Sequence, residues 1–284
     1  MITFRSRFCN IGSVIPAQRR QHILETLRRD GAVSIRALAA VLDSSAVTIR
    51  RDLDFLDSAG QLTRTHGGAI KGQPSFEGSY SEKVVQARLQ KLAIGTLAAT
   101  LVTEGDVIAI GPGTTTAVLA KLLTQCSGLT VVTNSLLVAG AFVDSVSNEV
   151  IVTGGTLRAS IRALVGEATN HTLRGLRADI TFLSGNGLDA QFGLSTPNMT
   201  VADSDRSLAA AGDRVVALVD HTKFGVRSAI QTLPPAAITD LVTDEDSPRE
   251  TLARLRDVGV QIHIAPTTGL SDTFSGQSPT GLVL

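Results

Sequence analysis

The stretch Ser45-Ala46-Val47-Thr48-Ile49-Arg50-Arg51-Asp52-Leu53 decides how the first part of this chain reads. Ser45 is placed to cap a helix. Ile49, Leu53 and Leu56 then recur at i, i+4 and i+7 as one buried stripe, which turns Thr48, Arg50 and Arg51 toward solvent. Two adjacent guanidiniums on an exposed helix face suit phosphates and guanine edges. The stretch is therefore expected to be the recognition helix of a helix-turn-helix.

The flanking sequence supplies the rest of such a module. Ser34 is a second N-cap, followed by Ile35, Leu38, Ala39 and Leu42 at helical spacing, and Asp43-Ser44 makes a short break before the recognition helix. An earlier helix, Ala17 to Arg29, offers Ile23, Leu24 and Leu27 as a third wall and ends at Asp30-Gly31. From Gln61 to Ile70 the chain alternates weakly around Gly67-Gly68, the pattern of a β-hairpin wing carrying Arg64 and His66. Candidate DNA contacts are thus Ser45, Thr48, Arg50, Arg51, Arg64 and His66.

In these residues the chain resembles the DeoR family of bacterial regulators, whose N-terminal module carries a T-I-R-R-D-L helix and a G-x-L-x-R-x-H-G-G-A wing. Both are present unbroken, at Thr48 to Leu53 and at Gly60 to Ala69. The resemblance runs from about Pro16 to Ala265. It departs at Ser44, where family members usually have an apolar residue.

Length and charge agree with two domains. The 284 residues exceed what one small winged helix needs. Net charge is zero, yet residues 1–72 hold 11 Lys and Arg against 6 Asp and Glu, which places the positive excess beside the recognition helix. With no Trp and one Tyr, the chain lacks stacking platforms for single strands, so duplex DNA is the expected partner. Cys9 and Cys126 show no metal-ligand spacing and are expected to be free thiols in a reducing cytoplasm. No cofactor is expected. No apolar stretch reaches membrane-spanning length, and Leu92 to Val102 is expected to be a buried helix. Residues 1–15 and 266–284 are expected to be a disordered extension and tail, flanking a winged helix at 16–71, a linker at 72–80 and an α/β domain at 81–265.

In that second domain the apolar runs are continuous: Val107 to Ile110, Thr130 to Thr133, Val150 to Thr153, Ile180 to Leu183, Val215 to Asp220, Leu241 to Thr243 and Gln261 to Ala265. Strands of this kind are buried on both faces, so the fold class is α/β, with a mostly parallel sheet. Ligands of such sheets sit beyond the carboxyl ends of the strands. There the sequence places Gly111-Pro112-Gly113-Thr114-Thr115-Thr116 before a helix expected from Ala117 to Leu123, a cradle for phosphate or carboxylate. Other strand ends add Asn134, Gly155, Arg158, Gly185-Asn186-Gly187 and Lys223. Together these loops are expected to form one anionic-ligand pocket.

This half also resembles the family's sensor domain, which is similar to ribose-5-phosphate isomerase and glucosamine-6-phosphate deaminase. The matching pieces are Gly113 to Thr116, Thr133 to Ser135, Gly154 to Arg158 and Asp220 to Gly225. The resemblance implies a phosphorylated-sugar effector, held by the threonine turn and reached by Lys223, and a repressor of carbohydrate-utilisation genes. Gly111 and Asp205 depart from the family's usual acidic residue and lysine, which leaves the effector's identity open. An alternative is a sugar-phosphate isomerase or deaminase-like enzyme on the same fold. Reading two half-sites calls for at least a homodimer.

Overall fold

The computed structural model describes residues 16–58, 62–65, 67–70 and 80–268. The chain divides between Ser79 and Tyr80 into two units.

In the first unit, α1 (Pro16–Asp30) is followed by β1 (Ala32–Ser34), α2 (Ile35–Val41), α3 (Ala46–Ser58), β2 (Thr63–Thr65) and β3 (Gly68–Ile70). Gly31 adopts φ 74° and closes α1 through its N–H to the Leu27 carbonyl, the left-handed ending that glycine permits. Ser34 Oγ accepts from Ala37 N at 3.1 Å and Ser45 Oγ from Thr48 N at 3.1 Å, so both expected caps form. Ser44 stabilises the turn by donating its hydroxyl to the Leu42 carbonyl at 3.0 Å. Ile23, Leu27, Leu38, Ile49, Leu53 and Leu56 make one buried core. The wing hairpin β2–β3 acquires a third strand that the sequence did not signal, β1, paired antiparallel to β3. Gly68 permits this, since a Cβ there would lie 1.9 Å from the Val33 carbonyl oxygen.

The second unit begins with α4 (Tyr80–Val85), α5 (Arg88–Ala99), β4 (Val107–Ile110), α6 (Thr114–Leu123), β5 (Thr130–Thr133), α7 (Leu136–Ala141) and β6 (Glu149–Val152). A hairpin of β7 (Thr156–Arg158) and β8 (Ala163–Val165) precedes α8 (Glu167–Leu173), β9 (Ala178–Leu183), β10 (Gly187–Asp189) and β11 (Gly193–Thr196). The chain then runs through α9 (Met199–Ala211), β12 (Gly212–Leu218), β13 (Ile230–Leu233), β14 (Asp240–Asp244), α10 (Arg249–Asp257) and β15 (Gln261–Ala265). The seven expected strands form a single parallel sheet in the order β15-β14-β12-β9-β4-β5-β6. One apolar layer under α5 and α6 and a second under α9 and α10 bury its two faces.

In the second unit three details differ from the sequence reading. The antiparallel strands β7–β8 and β10-β11-β13 were not expected, because short Gly-, Ser- and Thr-containing strands look like loops. Helix α6 starts at Thr114 rather than Ala117, so the three threonines form its first turn and Gly113 is the cap. Tyr80, expected in the linker, opens α4.

Candidate nucleic-acid interface and effector site

On α3, Ile49 and Leu53 are fully buried, while Arg50 and Arg51 are exposed and Thr48 is half-buried at the capped end. Ser45 and Thr48 hydroxyls also bond each other at 2.9 Å. The sequence reading missed what fixes this helix. Asp52, on the same stripe as Ile49 and Leu56, is buried beneath α1, where its carboxylate accepts from Arg19 Nε and, at 2.9 Å, from Arg20 Nε. The Arg20 guanidinium also stacks 3.7 Å from the centroid of the Phe55 ring. Two cations of α1 therefore grip one anion of α3, and that grip sets how far Arg50 and Arg51 project.

Arg64 of the wing folds back onto the same helix. Its guanidinium bonds Asp54, it reaches the Arg50 carbonyl at 3.4 Å, and its own N–H donates to Asp57 at 3.2 Å. The wing is thereby locked to α3, and part of the Arg64 charge is spent on Asp54. His66 lies outside the described residues.

In the second unit the sheet order identifies the ligand end more sharply than the sequence could. From β4 the chain winds outward to β5 and β6, then returns to β9 on the other side and continues to β12, β14 and β15. The switch point lies between β4 and β9, and the crevice beyond their carboxyl ends is where open parallel sheets bind ligands. The turn after β4, Gly111 to Gly113, and the turn after β9, Ser184 to Gly187, flank it. They approach so closely that a Cβ on Gly113 would lie 3.0 Å from both Ser184 Cβ and Thr116 Oγ1. The Thr116 hydroxyl donates to the Gly113 carbonyl at 3.1 Å, and the first helical bond runs from Ala117 N to that carbonyl. The N–H groups of Thr114, Thr115 and Thr116 precede that bond, which leaves them at the positive end of α6. Thr115 and Thr116 are buried and Thr114 is half-buried, so the expected hydroxyl cluster resolves into two packed side chains and one partly exposed.

On the β5 and β6 side, buried Asn134 donates to the Leu164 carbonyl at 2.9 Å and accepts from Leu164 N at 2.8 Å through its own backbone. Its Oδ1 has no hydrogen-bond partner among the described residues. Gly155 leads into β7, where Arg158 is half-buried. On the other side, the loop after β12 is braced by Asp220, which accepts from Thr222 N at 3.1 Å, and by Asp244, which accepts from His221 N at 2.8 Å and lies 3.0 Å from its Nδ1. Lys223 does not pair with Asp220. Its ammonium points to Gln86 Oε1 at 3.5 Å, two strands away from the threonine turn.

A second lysine, which the sequence reading overlooked, lies in this region. Lys91 of α5 is buried and donates to the Lys83 carbonyl and, at 2.6 Å, to that of Gln86. Burial pushes its ammonium down to about 8; nearby Asp220 opposes that shift, while Lys223 and Lys83 add to it. At the opposite, amino end of the sheet, Asp240 is bound by Arg214 at 2.6 and 2.8 Å and by His263 at 2.7 Å. Burial would raise its carboxyl, but hydrogen bonds from Arg214, His263 and Thr239 outweigh that and hold it at about 2. The cleft of about 370 Å³ beside it, lined by Arg214, Asp240, Val258 and Gln261 among others, is at the wrong end of the strands for the switch-point site. No helix among the described residues is long and apolar enough to cross a membrane.

Comparison with known proteins separates the chain into the same two parts. Residues 19–73 match the model of the DeoR-like helix-turn-helix domain, and residues 86–245 match that of the DeoR C terminal sensor domain. Among its relatives is an uncharacterized HTH-type transcriptional regulator, YgbI, of Escherichia coli K12, 37% identical over 83% of this chain and 92% of the relative. Another is the lactose phosphotransferase system repressor of Lactococcus lactis, 35% identical over 73% of this chain and 82% of the relative. Among solved structures, ribose 5-phosphate isomerase A from Methanocaldococcus jannaschii aligns with a TM-score of 0.37 and 16% identity, covering 49% of this chain and 55% of that one.

Proposed function

Because this chain belongs to the DeoR family of transcription regulators, we propose that it represses carbohydrate-utilisation genes and that a phosphorylated sugar in the β4–β9 crevice changes its grip on operator DNA. The observation that carries this reading is the positive end of α6, whose first three N–H groups precede its first helical bond, at the topological switch point of a parallel sheet. A phosphate there takes hydrogen bonds from the Thr114, Thr115 and Thr116 backbone, with Gly113 allowing the close approach. Asn134, Gly155 and Arg158 line the sugar's side, with Lys223 reaching in from the loop after β12 once it leaves Gln86, and Asn134 Oδ1, without a partner among the described residues, suits a hydroxyl donor.

In the first unit, Arg50 and Arg51 read base edges or phosphates in the major groove, Ser45 and Thr48 meet the backbone at the helix start, and Arg64 with His66 follows the minor groove or its phosphates. Two such units are needed for repeated half-sites, so the working form is a homo-oligomer in the cytoplasm. The relatives are named as regulators, and we assign no catalysis to the crevice.

The test uses the purified full chain with a DNA fragment from upstream of its own and neighbouring genes. A panel of phosphosugars and their unphosphorylated forms is scored by melting temperature and gel shift. One phosphorylated member should raise the melting temperature and change operator affinity while its unphosphorylated partner does neither. A complete panel without effect would overturn the effector assignment, and turnover of any member would favour the isomerase or deaminase alternative.

A further inference from the structure

The short helix that opens the sensor unit is tied down at both ends by cations that belong to the ligand loops. Only Gln86 and Ala87 separate α4 from α5, and Ala87 takes the left-handed conformation, φ 51° and ψ 42°, without glycine's freedom. A residue persists there only where its surroundings hold it. Lys91, one turn into α5, does the holding: its buried ammonium reaches back to the Lys83 and Gln86 carbonyls at the end of α4. These are the orphan acceptors that every helix end must satisfy.

Gln86 also accepts from Lys223, on the loop after β12, at 3.5 Å. At the other end of α4, the Tyr80 ring lies 4.3 Å from the guanidinium of Arg162. Arg162 is itself left-handed, with φ 53°, in the turn of the β7–β8 hairpin that carries Arg158. Between these ties, α4 packs on α6, the helix that begins with the threonine turn. Its position is therefore set by the loops after β6 and β12 and by α6.

We propose that α4 is a strap held by the ligand loops, and that an anionic ligand releases it by drawing Lys223 and Arg162 away from Gln86 and Tyr80, which weakens operator binding. This rests on the effector reading above. The direction follows from acceptor strength. A neutral amide oxygen at 3.5 Å and a ring face are weaker partners for these cations than a phosphate, whose hydrogen bonds are charge-assisted. With the side-chain ties gone, the strained junction is left to Lys91 and to the packing of α4 on α6, and the balance shifts toward a released strap.

The full-length parent is compared with Lys91→Met and with the double variant Gln86→Ala/Tyr80→Leu. Readouts are hydrogen exchange over residues 80–87 and operator gel shifts, with and without ribose 5-phosphate, glucosamine 6-phosphate or inorganic phosphate. Lys91→Met should exchange at least tenfold faster over the strap and bind operator at least threefold more weakly without any ligand. The double variant, at exposed or half-buried positions, should shift both in the same direction and serves as the test where Lys91→Met fails to fold. Parental exchange, or a loosened strap with parental operator affinity, would overturn the proposal. So would a phosphosugar that raises the melting temperature of the parent without speeding exchange at 80–87. Should no ligand bind the parent, the effector reading falls, while the ligand-independent comparisons still decide whether α4 couples to the DNA-binding unit.

Discussion

Replacing Asp52 with alanine tests the buried ionic grip that orients the recognition helix. The Asp52 side chain is 3% exposed and faces Arg19 at 9% and Arg20 at 30%. Removing one partner of a buried ion pair costs about 3–5 kcal/mol, because the remaining charge has lost its counter-ion away from water. The half-exposed Arg20 contact contributes less, about 0–1 kcal/mol. A domain of this size has a total stability of only about 3–8 kcal/mol, at roughly 0.05–0.15 kcal/mol per residue. Asp52→Ala should therefore leave the first unit largely unfolded and abolish operator binding, while the second unit keeps its exchange protection. Urea titration followed by hydrogen exchange over residues 16–58 measures the loss directly. Pairing the change with Arg19→Met, as Asp52→Leu/Arg19→Met, should recover most of the stability, since an apolar pair of similar volume carries no desolvation cost. A loss below about 1 kcal/mol for Asp52→Ala would refute the grip, given the penalty expected for a buried charge.

Other expectations follow from the same geometry. Arg50→Ala and Arg51→Ala should each weaken operator binding by about 1–3 kcal/mol where the side chain reads a base, with melting temperature unchanged, because both are exposed. Gel shifts at fixed salt showing parental affinity for the double variant would contradict this. Lys223→Ala should lose the phosphosugar response, measured by melting temperature, and should weaken operator binding in the absence of ligand, because it removes the tie to Gln86. For Asp240, held at about 2 against an ordinary 3.8, the ionised form is favoured by folding. Its contribution is thus present above about pH 4 and lost as the pH falls toward 2. Asp240→Asn should flatten that part of the acid unfolding curve of the second unit, and an unchanged curve would count against the Arg214–His263 clamp.

The recognition helix, its caps and the seven core strands were legible because each has a strong local period or an uninterrupted apolar run. What escaped had competing local chemistry. Thr114 to Thr116 read as a loop because threonine caps and turns as readily as it propagates a helix, yet the helix begins at Thr114, and the close approach of Ser184 leaves little room for a side chain at the capping Gly113. Strands β10 and β11 form a short hairpin of three and four residues with no strong alternation, and β13 joins it by pairing Leu233 with the distant Leu194, which no short window reveals. His66 falls outside the described residues, and Lys223 proved to face Gln86 instead of the threonine turn.

The charges that matter most were visible in register but not in type. Asp52 stands three residues after Ile49 and four before Leu56, and Arg19 stands four before Ile23, so both occupy buried stripes. Lys91 stands three before Ile94 and seven before Ala98, in the same relation. Treating charged residues as solvent-facing hides such positions, whereas a charge kept on an apolar stripe must be paired or must satisfy backbone carbonyls to be tolerated at all. The two cases differ in what they secure. Asp52 meets two guanidiniums and fixes one helix against another, which suits a surface that must hold its shape on DNA. Lys91 meets two carbonyls across a strained junction. That bond holds only while the turn keeps its conformation, so it secures an element that opens locally at lower cost than the core, as the proposed strap requires.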